Sequence, residues 1–298
     1  MNVKLSATVA VLICVVIFSP KATAGKAWRG IVPLHSTRTD VEKLLGPPTF
    51  EDSGYDIEGE RALITYSAQG CEEGLPGGWN VPANTVVSIS LSSTKDLKLA
   101  DVLVPGKNYE QIYGTHTPHV DYVDVQDGVR YSTVDGSVQT ISYFGSEADD
   151  KKLRCGEYKY AAAVPAGAKN KFEQYPFDSY GKILFEDAEA RLDSFIVQLL
   201  DLNQGTPHYR GFIIVYAGRS AHAAEASAVA ECAKNYLVKV READPETIVA
   251  ADGGYRDEFT VELYIMPNDA YPPRLMPTVS PKKVQILEGH LTPCPSRE

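Results

Sequence analysis

Between residues 177 and 266 the apolar positions change period several times, and each change marks an element. Ile183, Leu184 and Phe185 form a short apolar run of the kind a buried strand makes, after which Leu192, Phe195, Ile196 and Leu199 recur at helical spacing. Glu186, Asp187 and Glu189 stand at the start of that helix, where a helix N-terminus favours negative charge. Residues 212–216 are almost all β-formers and stop before Gly218, which predicts a second buried strand. The alanine-rich segment 224–241 places Val229, Cys232, Ala233, Tyr236, Leu237 and Val240 on one stripe, a face suited to packing on a sheet. Asp244-Pro245 ends it, because proline lacks a donor and pushes its predecessor out of the helical region. Two strands follow, 247–251 and 259–266, with Asp252-Gly253-Gly254 predicted as the turn between them. In the last strand Phe259, Val261, Leu263 and Ile265 alternate with Thr260, Glu262 and Tyr264. The predicted unit, residues 177–267, is a βαβαββ sandwich with its helices on one face and a parallel strand pair joined by right-handed crossovers.

A different pattern precedes it, over residues 25–160. Thr39 and Glu42 have capping-box spacing, Val41, Leu44 and Leu45 make an apolar face, and Gly46-Pro47-Pro48 stops the helix. Strand-like runs then occupy 61–67, 85–92, 122–125, 129–134 and 138–144, with Gln126-Asp127-Gly128 and Asp135-Gly136 as hairpin turns between the last three. The expected fold class is therefore mixed α+β / α/β: a mostly antiparallel β lobe with short helices, then the sandwich. Residues 161–176, with Val164-Pro165-Ala166-Gly167 and the charged Lys169 and Lys171, have the composition of a linker. Residues 268–298 form a tail in which Pro272, Pro273, Pro277, Pro281, Pro293 and Pro295 favour extended chain. Within it Val284 to Leu287 are able to add a strand to a sheet edge.

The amino end sets the compartment. Residues 1–24 carry Lys4, an apolar core over 5–18, and Ala22-Thr23-Ala24, which fits the small-residue rule for cleavage of a secretory signal before Gly25. The apolar core is short for a bilayer span of about 20 residues, and Cys14 lies inside it, between Ile13 and Val15, out of keeping with a lipoprotein. Loss of the signal removes Lys4 and Lys21 and no acid, taking the formal charge from −10 to −12. A chain so acidic is ill suited to hold nucleic acid or an anionic lipid surface by charge, so membrane association is expected only through partners. Four cysteines remain, Cys71, Cys155, Cys232 and Cys294, an even number that in an exported chain suggests two disulfides. Three pairings exist; pairing within lobes joins Cys71 to Cys155 and Cys232 to Cys294. Each such long loop would contribute about 4 to 5 kcal/mol in the chain-entropy account. Cys232, on the buried stripe of its helix, is alternatively a reduced core residue. No Cys-x-x-Cys spacing suits zinc.

The order of elements over 177–266, the helix end Lys234-Asn235-Tyr236-Leu237-Val238, the following Glu246-Thr247-Ile248-Val249, the Gly253-Gly254-Tyr255 segment and the closing Val261-Glu262-Leu263 resemble a divergent OmpA-like carboxy-terminal domain. The resemblance implies an α/β sandwich that anchors envelope proteins noncovalently to peptidoglycan. The contact residues of that family depart here: Arg219 stands about where it carries an aspartate, Val229-Ala230 where it carries an arginine followed by alanine, and Phe259-Thr260 where it carries basic residues before the closing Val-Glu. An arginine would repel the ammonium that an aspartate attracts, and a valine cannot pair with a carboxylate. The resemblance therefore carries the fold further than the ligand. More weakly, Gly30-Ile31-Val32-Pro33-Leu34 with a short capped helix ending at Gly46-Pro47-Pro48 is similar to SmpA/OmlA (BamE-like) envelope modules.

The candidate site gathers Arg219 and Ser220, at a helix N-terminus suited to an anion, with Asp252, Tyr255 and Asp257 on a segment expected at the same end of the sheet. The partner implied is peptidoglycan or an envelope protein, bound without catalysis and without a cofactor. A second reading, an extracytoplasmic hydrolase of glycan or ester substrates, rests on Ser220 near His222, or on a carboxylate pair among Asp252, Asp257 and Glu258. His116, His119 and Asp121 have ligand chemistry, but Pro118 denies them a helix, and a surface turn accounts for them. The Cys71 loop carrying Trp79 reads as a tethered structural loop, with a binding lid as the alternative.

Overall fold

The computed structural model describes residues 24–114, 118–168, 171–172, 174–205 and 208–289. It is a mixed α+β structure, mostly antiparallel, with few helices. In the first lobe β1 (Gly54–Ile57), β2 (Glu60–Tyr66), β3 (Val86–Lys98), β4 (Glu110–Tyr113), β5 (His119–Asp124), β6 (Val129–Val134), β7 (Ser137–Tyr143) and β8 (Lys171–Phe172) form one sheet in the order β1-β2-β3-β7-β6-β5-β4-β8. Neighbours are antiparallel except β4 and β8, which run parallel. Strand β6 shows the alternation expected of a sheet with one covered face, Val129, Tyr131 and Thr133 being buried. Trp28, Ile31 and Val41, the last from helix α1 (Arg38–Leu45), pack with Tyr55, Ala62, Ile64, Val86 and Ile89 into the lobe's core. The helix cap lies two residues earlier than predicted. Thr37, not Thr39, is the N-cap, and its reciprocal partner is Asp40 rather than Glu42. The threonine three residues before an acid won because Thr37 also bridges to Thr85, which anchors the chain there in extended form. Two short helices, α2 (Leu99–Val102) and α3 (Glu147–Leu153), complete the lobe.

In the second lobe β9 (Asp178–Tyr180), β10 (Tyr209–Ala217), β12 (Ile248–Tyr255) and β13 (Thr260–Pro267) form a sheet in the order β12-β10-β13-β9; β11 (Ser220–His222) instead pairs with the distant β14 (Gln285–Leu287). β10 is central, parallel to β12 and antiparallel to β13. Helices α4 (Phe185–Leu202) and α5 (Glu225–Lys239) share one face. There Leu192, Phe195, Leu199, Ala233 and Leu237 pack on Ile213, Val215, Leu263 and Ile265 in a single cluster. The parallel pair with its intervening α5 is as the periodicity predicts.

The strand expected at Ile183 to Phe185 is absent. Leu184 is the N-cap of α4 and 72 % exposed, and Phe185 is the first helical residue, its ring edge-on to Tyr236 at 5.9 Å. The actual strand is the polar Asp178–Tyr180, an edge strand of three residues that carries no apolar run. The segment predicted as a turn, Asp252 to Gly254, stays in strand β12 as a bulge: Val215 faces Asp252 and Tyr216 faces Gly254, leaving Gly253 extra.

The other face of the sheet is covered without helices. Phe212, Ile214, Tyr216, Tyr264 and Met266 pack against Ala161, Ala162, Ala270 and Leu275. Residues 159–162 and 273–275 are bonded to one another, Ala161 N–H donating to Pro273 O and Leu275 N–H to Lys159 O, both at 2.8 Å. Gln174 adds bonds to Pro272 O and from Arg274 N–H. The stretch with linker composition is thus stitched to the proline-rich tail. Beneath them Arg256 donates to Glu262 at 2.7 Å and lies 3.5 Å over the Tyr216 ring, Tyr264 donates to Glu262 at 2.9 Å, and Met276 N–H donates to the Tyr216 hydroxyl at 3.1 Å. Every polar group of this half-buried set has a partner, as burial requires.

Cys71 and Cys155 form a disulfide. Cys232 lies buried on α5, and its expected partner Cys294 lies outside the described residues, as does most of the predicted signal.

Candidate functional site

The bulged end of β12 lines a cleft together with residues of the first lobe. Gly254 sits at φ 88°, a backbone conformation glycine adopts without strain, and a side chain at Gly253 would collide with the Tyr216 ring at 2.5 Å. The Asp252 carboxylate accepts the Gly254 N–H at 2.8 Å and is exposed. Tyr255 is bridged to Val279 of the tail, whose N–H donates to the Tyr255 carbonyl at 3.0 Å.

Facing this edge is the loop after Cys71. It is held at one end by the disulfide and at the other by Trp79, on whose ring the Arg154 guanidinium stacks at 3.7 Å. The tail clasps it as well. Ser280 donates to Glu73 O at 2.7 Å, Lys282 pairs with Glu73, and Lys283 pairs with Glu72 at 2.9 Å. The bond from Lys283 holds the Glu72 carboxyl below its usual range, with Gln69 and the nearby Arg219 adding to the effect. The loop is therefore tethered throughout, as its composition suggests.

Between these walls lies a cleft of about 460 Å³. Leu75, Pro76, Tyr255, Leu275, Pro277 and Val279 give it apolar sides, and Asp252, Glu157 and Lys159 bring two acids and one base to its rim. Its size and mixed lining are those of small-ligand sites. A second cleft, about 480 Å³, opens where residues 271–274 meet the first sheet. Among its charged groups Arg154 pairs with Asp150 and Arg130 Nη1 lies 3.5 Å from Asp121, while the buried Arg130 Nε has no hydrogen-bond partner among the described residues.

The predicted site residues divide into two groups. Asp252 and Tyr255 line the first cleft. Arg219 and Asp257 meet each other instead, Arg219 Nε at the β10–β11 turn donating to Asp257 of the β12–β13 turn at 2.6 Å in an exposed pair outside that lining. Ser220, on β11, is within 3.4 Å of Gln285 Oε1, and the His222 N–H donates to the buried Glu225 at 2.9 Å. His119 bonds to the buried Asp121 at 2.8 Å, and His116 lies outside the described residues. The residues that sequence reasoning missed, Leu75, Glu157, Lys159, Leu275 and Val279, come from a loop, a post-helical segment and the tail. None of these has a period; the only available signal was that Cys71, Cys155 and the tail prolines flank them.

Among the described residues no group of three or more metal-ligating side chains is present, and no helix is long and apolar enough to cross a membrane. Comparison with protein-family models, curated proteins and solved structures finds no match to this chain.

Proposed function

We propose that this chain is an extracytoplasmic, non-catalytic binding module whose ligand occupies the cleft between the β12 bulge and the Cys71 loop. One observation carries the reading: a strand edge presenting Asp252 and Tyr255 faces, across about 460 Å³, a loop immobilised by a disulfide, a cation–π stack and the tail. A site rigid before the ligand arrives loses little entropy on binding. The disulfide is of the kind that persists outside the reducing cytosol. Apolar sides with two carboxylates and one ammonium suit a short peptide bearing both charges. In keeping with the OmpA-like resemblance, the ligand is the stem peptide of the cell wall; an exposed segment of an envelope protein shares that chemistry.

The test is a pull-down with purified peptidoglycan. Native protein is retained. Asp252→Lys, which inverts the charge at the rim, weakens retention about tenfold or more, on the scale of a lost charge-assisted bond. Arg219→Glu, which repels Asp257 at a turn outside the cleft, has a smaller effect. Native protein that washes through eliminates the wall as partner and leaves the envelope protein.

A further inference from the structure

Gly25, the residue after the predicted signal, is buried, although Ala24 before it is exposed. Its N–H donates to Asp149 Oδ2 at 3.4 Å. The same oxygen accepts the Ser146 hydroxyl at 2.7 Å and the Ser146 N–H at 3.1 Å, while Oδ1 lies 2.8 Å from His35 Nε2. Asp149 is only 6 % exposed. A side chain at position 25 would be tight, its Cβ standing 3.0 Å from Phe144 O and 3.3 Å from Ser146 N. The next residue is held too, Lys26 N–H donating to Asp127 O at 2.7 Å. In the uncut chain a single amide N–H, at long range, faces a buried carboxylate and a neighbouring carbonyl.

We propose that the Ala24–Gly25 bond is the processing site of this chain and that Asp149 receives the α-ammonium created there. An exported endopeptidase that prefers small residues before the cut hydrolyses the C–N bond. The water oxygen ends in the Ala24 carboxylate, and both water protons end on the Gly25 nitrogen, which becomes an ammonium. One neutral donor is thereby replaced by three charged ones beside a buried anion, a stronger arrangement than neutral hydrogen bonds provide. The glycine follows from the same geometry, since the amine must approach within contact of the 144–146 backbone. The consequence is that export and folding are linked, because the first lobe completes its α3 anchor only after the leader is gone. This inference is independent of what the cleft binds.

The exported protein, purified from culture, is examined by N-terminal sequencing and intact mass, which are expected to show a chain beginning at Gly25. Its equilibrium unfolding is then compared with the same chain acetylated at the α-amine. The free amine raises the folding equilibrium constant about tenfold or more at neutral pH, and Asp149→Asn abolishes the difference. The α-amine of the native fold reacts slowly with acylating reagents, and it titrates above its ordinary value of about 8. The groups facing it are Asp149 of α3, His35 before α1, and Asp127 with its neighbours Asp124 and Lys107. A mature terminus elsewhere, or equal stability and ordinary reactivity of the free amine, overturns the proposal. The acetylation and reactivity arms decide it even if Asp149→Asn fails to fold.

Discussion

The two faces of the second sheet are built by different means. One is covered by α4 and α5, whose aliphatic and aromatic side chains form one cluster, with the buried Glu225 accepting from the His222 N–H and the Tyr236 hydroxyl donating to Asp193. The other is covered by residues 159–162 and 270–279 and contains Arg256, Glu262, Tyr264 and Tyr216 in one bonded set. Both exclude water, but only the second continues into the cleft, through Leu275, Pro277 and Val279. The helical cover secures the lobe; the irregular cover positions a surface. The proline-rich segment is fixed both by backbone bonds to residues 159–161 and Tyr255 and by side chains beneath it, Arg256 Nε donating to Met276 O.

The sharpest way to break this contrast is to empty the helical face. Phe195→Ala, at a fully buried ring, should cost about 3 to 5 kcal/mol and unfold the lobe in one step in urea. On the opposite face, Arg256→Met leaves the buried Glu262 without its cation, costing about 3 kcal/mol. Here the loss should be local, with faster hydrogen exchange at Leu275, Met276 and Thr278 before any change in α4. If Arg256→Met instead unfolded both faces together, the division would fail.

Alkali should act on the tail face and also on the other buried phenols, since burial raises Tyr66, Tyr131, Tyr180 and Tyr236 as well. Burial, reinforced by Glu262, holds the Tyr264 phenol above its ordinary value of 10.0 in the fold. A group whose folded pKa is raised contributes stability that is fully present below its unfolded pKa and is lost progressively as pH rises from there through its folded pKa. Stability should therefore decline above about pH 10, and Tyr264→Phe should flatten part of the decline, at a neutral-pH cost of about 1 kcal/mol for its lost bond. Circular dichroism across pH 8 to 12, a range of about four units spanning the tyrosine value, checks this. The smallest effect belongs to the exposed Lys282–Glu73 pair. Lys282→Ala should cost well under about 1 kcal/mol, and salt should erase the difference.

The same contrast explains what could be read in the chain beforehand. Of the expected stripe, Cys232, Ala233, Tyr236 and Leu237 are buried on α5 while Val229 is half-buried and Val240, the C-cap, is exposed, and β6 runs Val129–Val134 as predicted. Periodicity records burial on one face, so elements with a covered face announce themselves. Ile183 to Phe185 misled because a short apolar run is equally a strand and the lead-in of a helix, and polar β9 offered no run at all. Asp252-Gly253-Gly254 is turn chemistry by composition, but its glycine serves a bulge, because the Tyr216 ring occupies the space beside Gly253. Of the candidate site, Asp252 and Tyr255 were named from the sequence on an expected turn segment and lie instead in β12, and Arg219 with Asp257 proved to be each other's partners. The remaining walls come from segments joined only by tertiary bonds, which no local pattern encodes.

The claim that the irregular face builds the binding surface is tested most directly by amide chemical-shift mapping of the isotopically labelled protein during titration with purified wall stem peptide. The account predicts saturable shifts confined to Gly253, Gly254 and Tyr255, the Gly74-Leu75 segment and Leu275 to Val279, lost in Asp252→Lys. Shifts centred on α4 and α5, or at Arg219 and Ser220 alone, would contradict it.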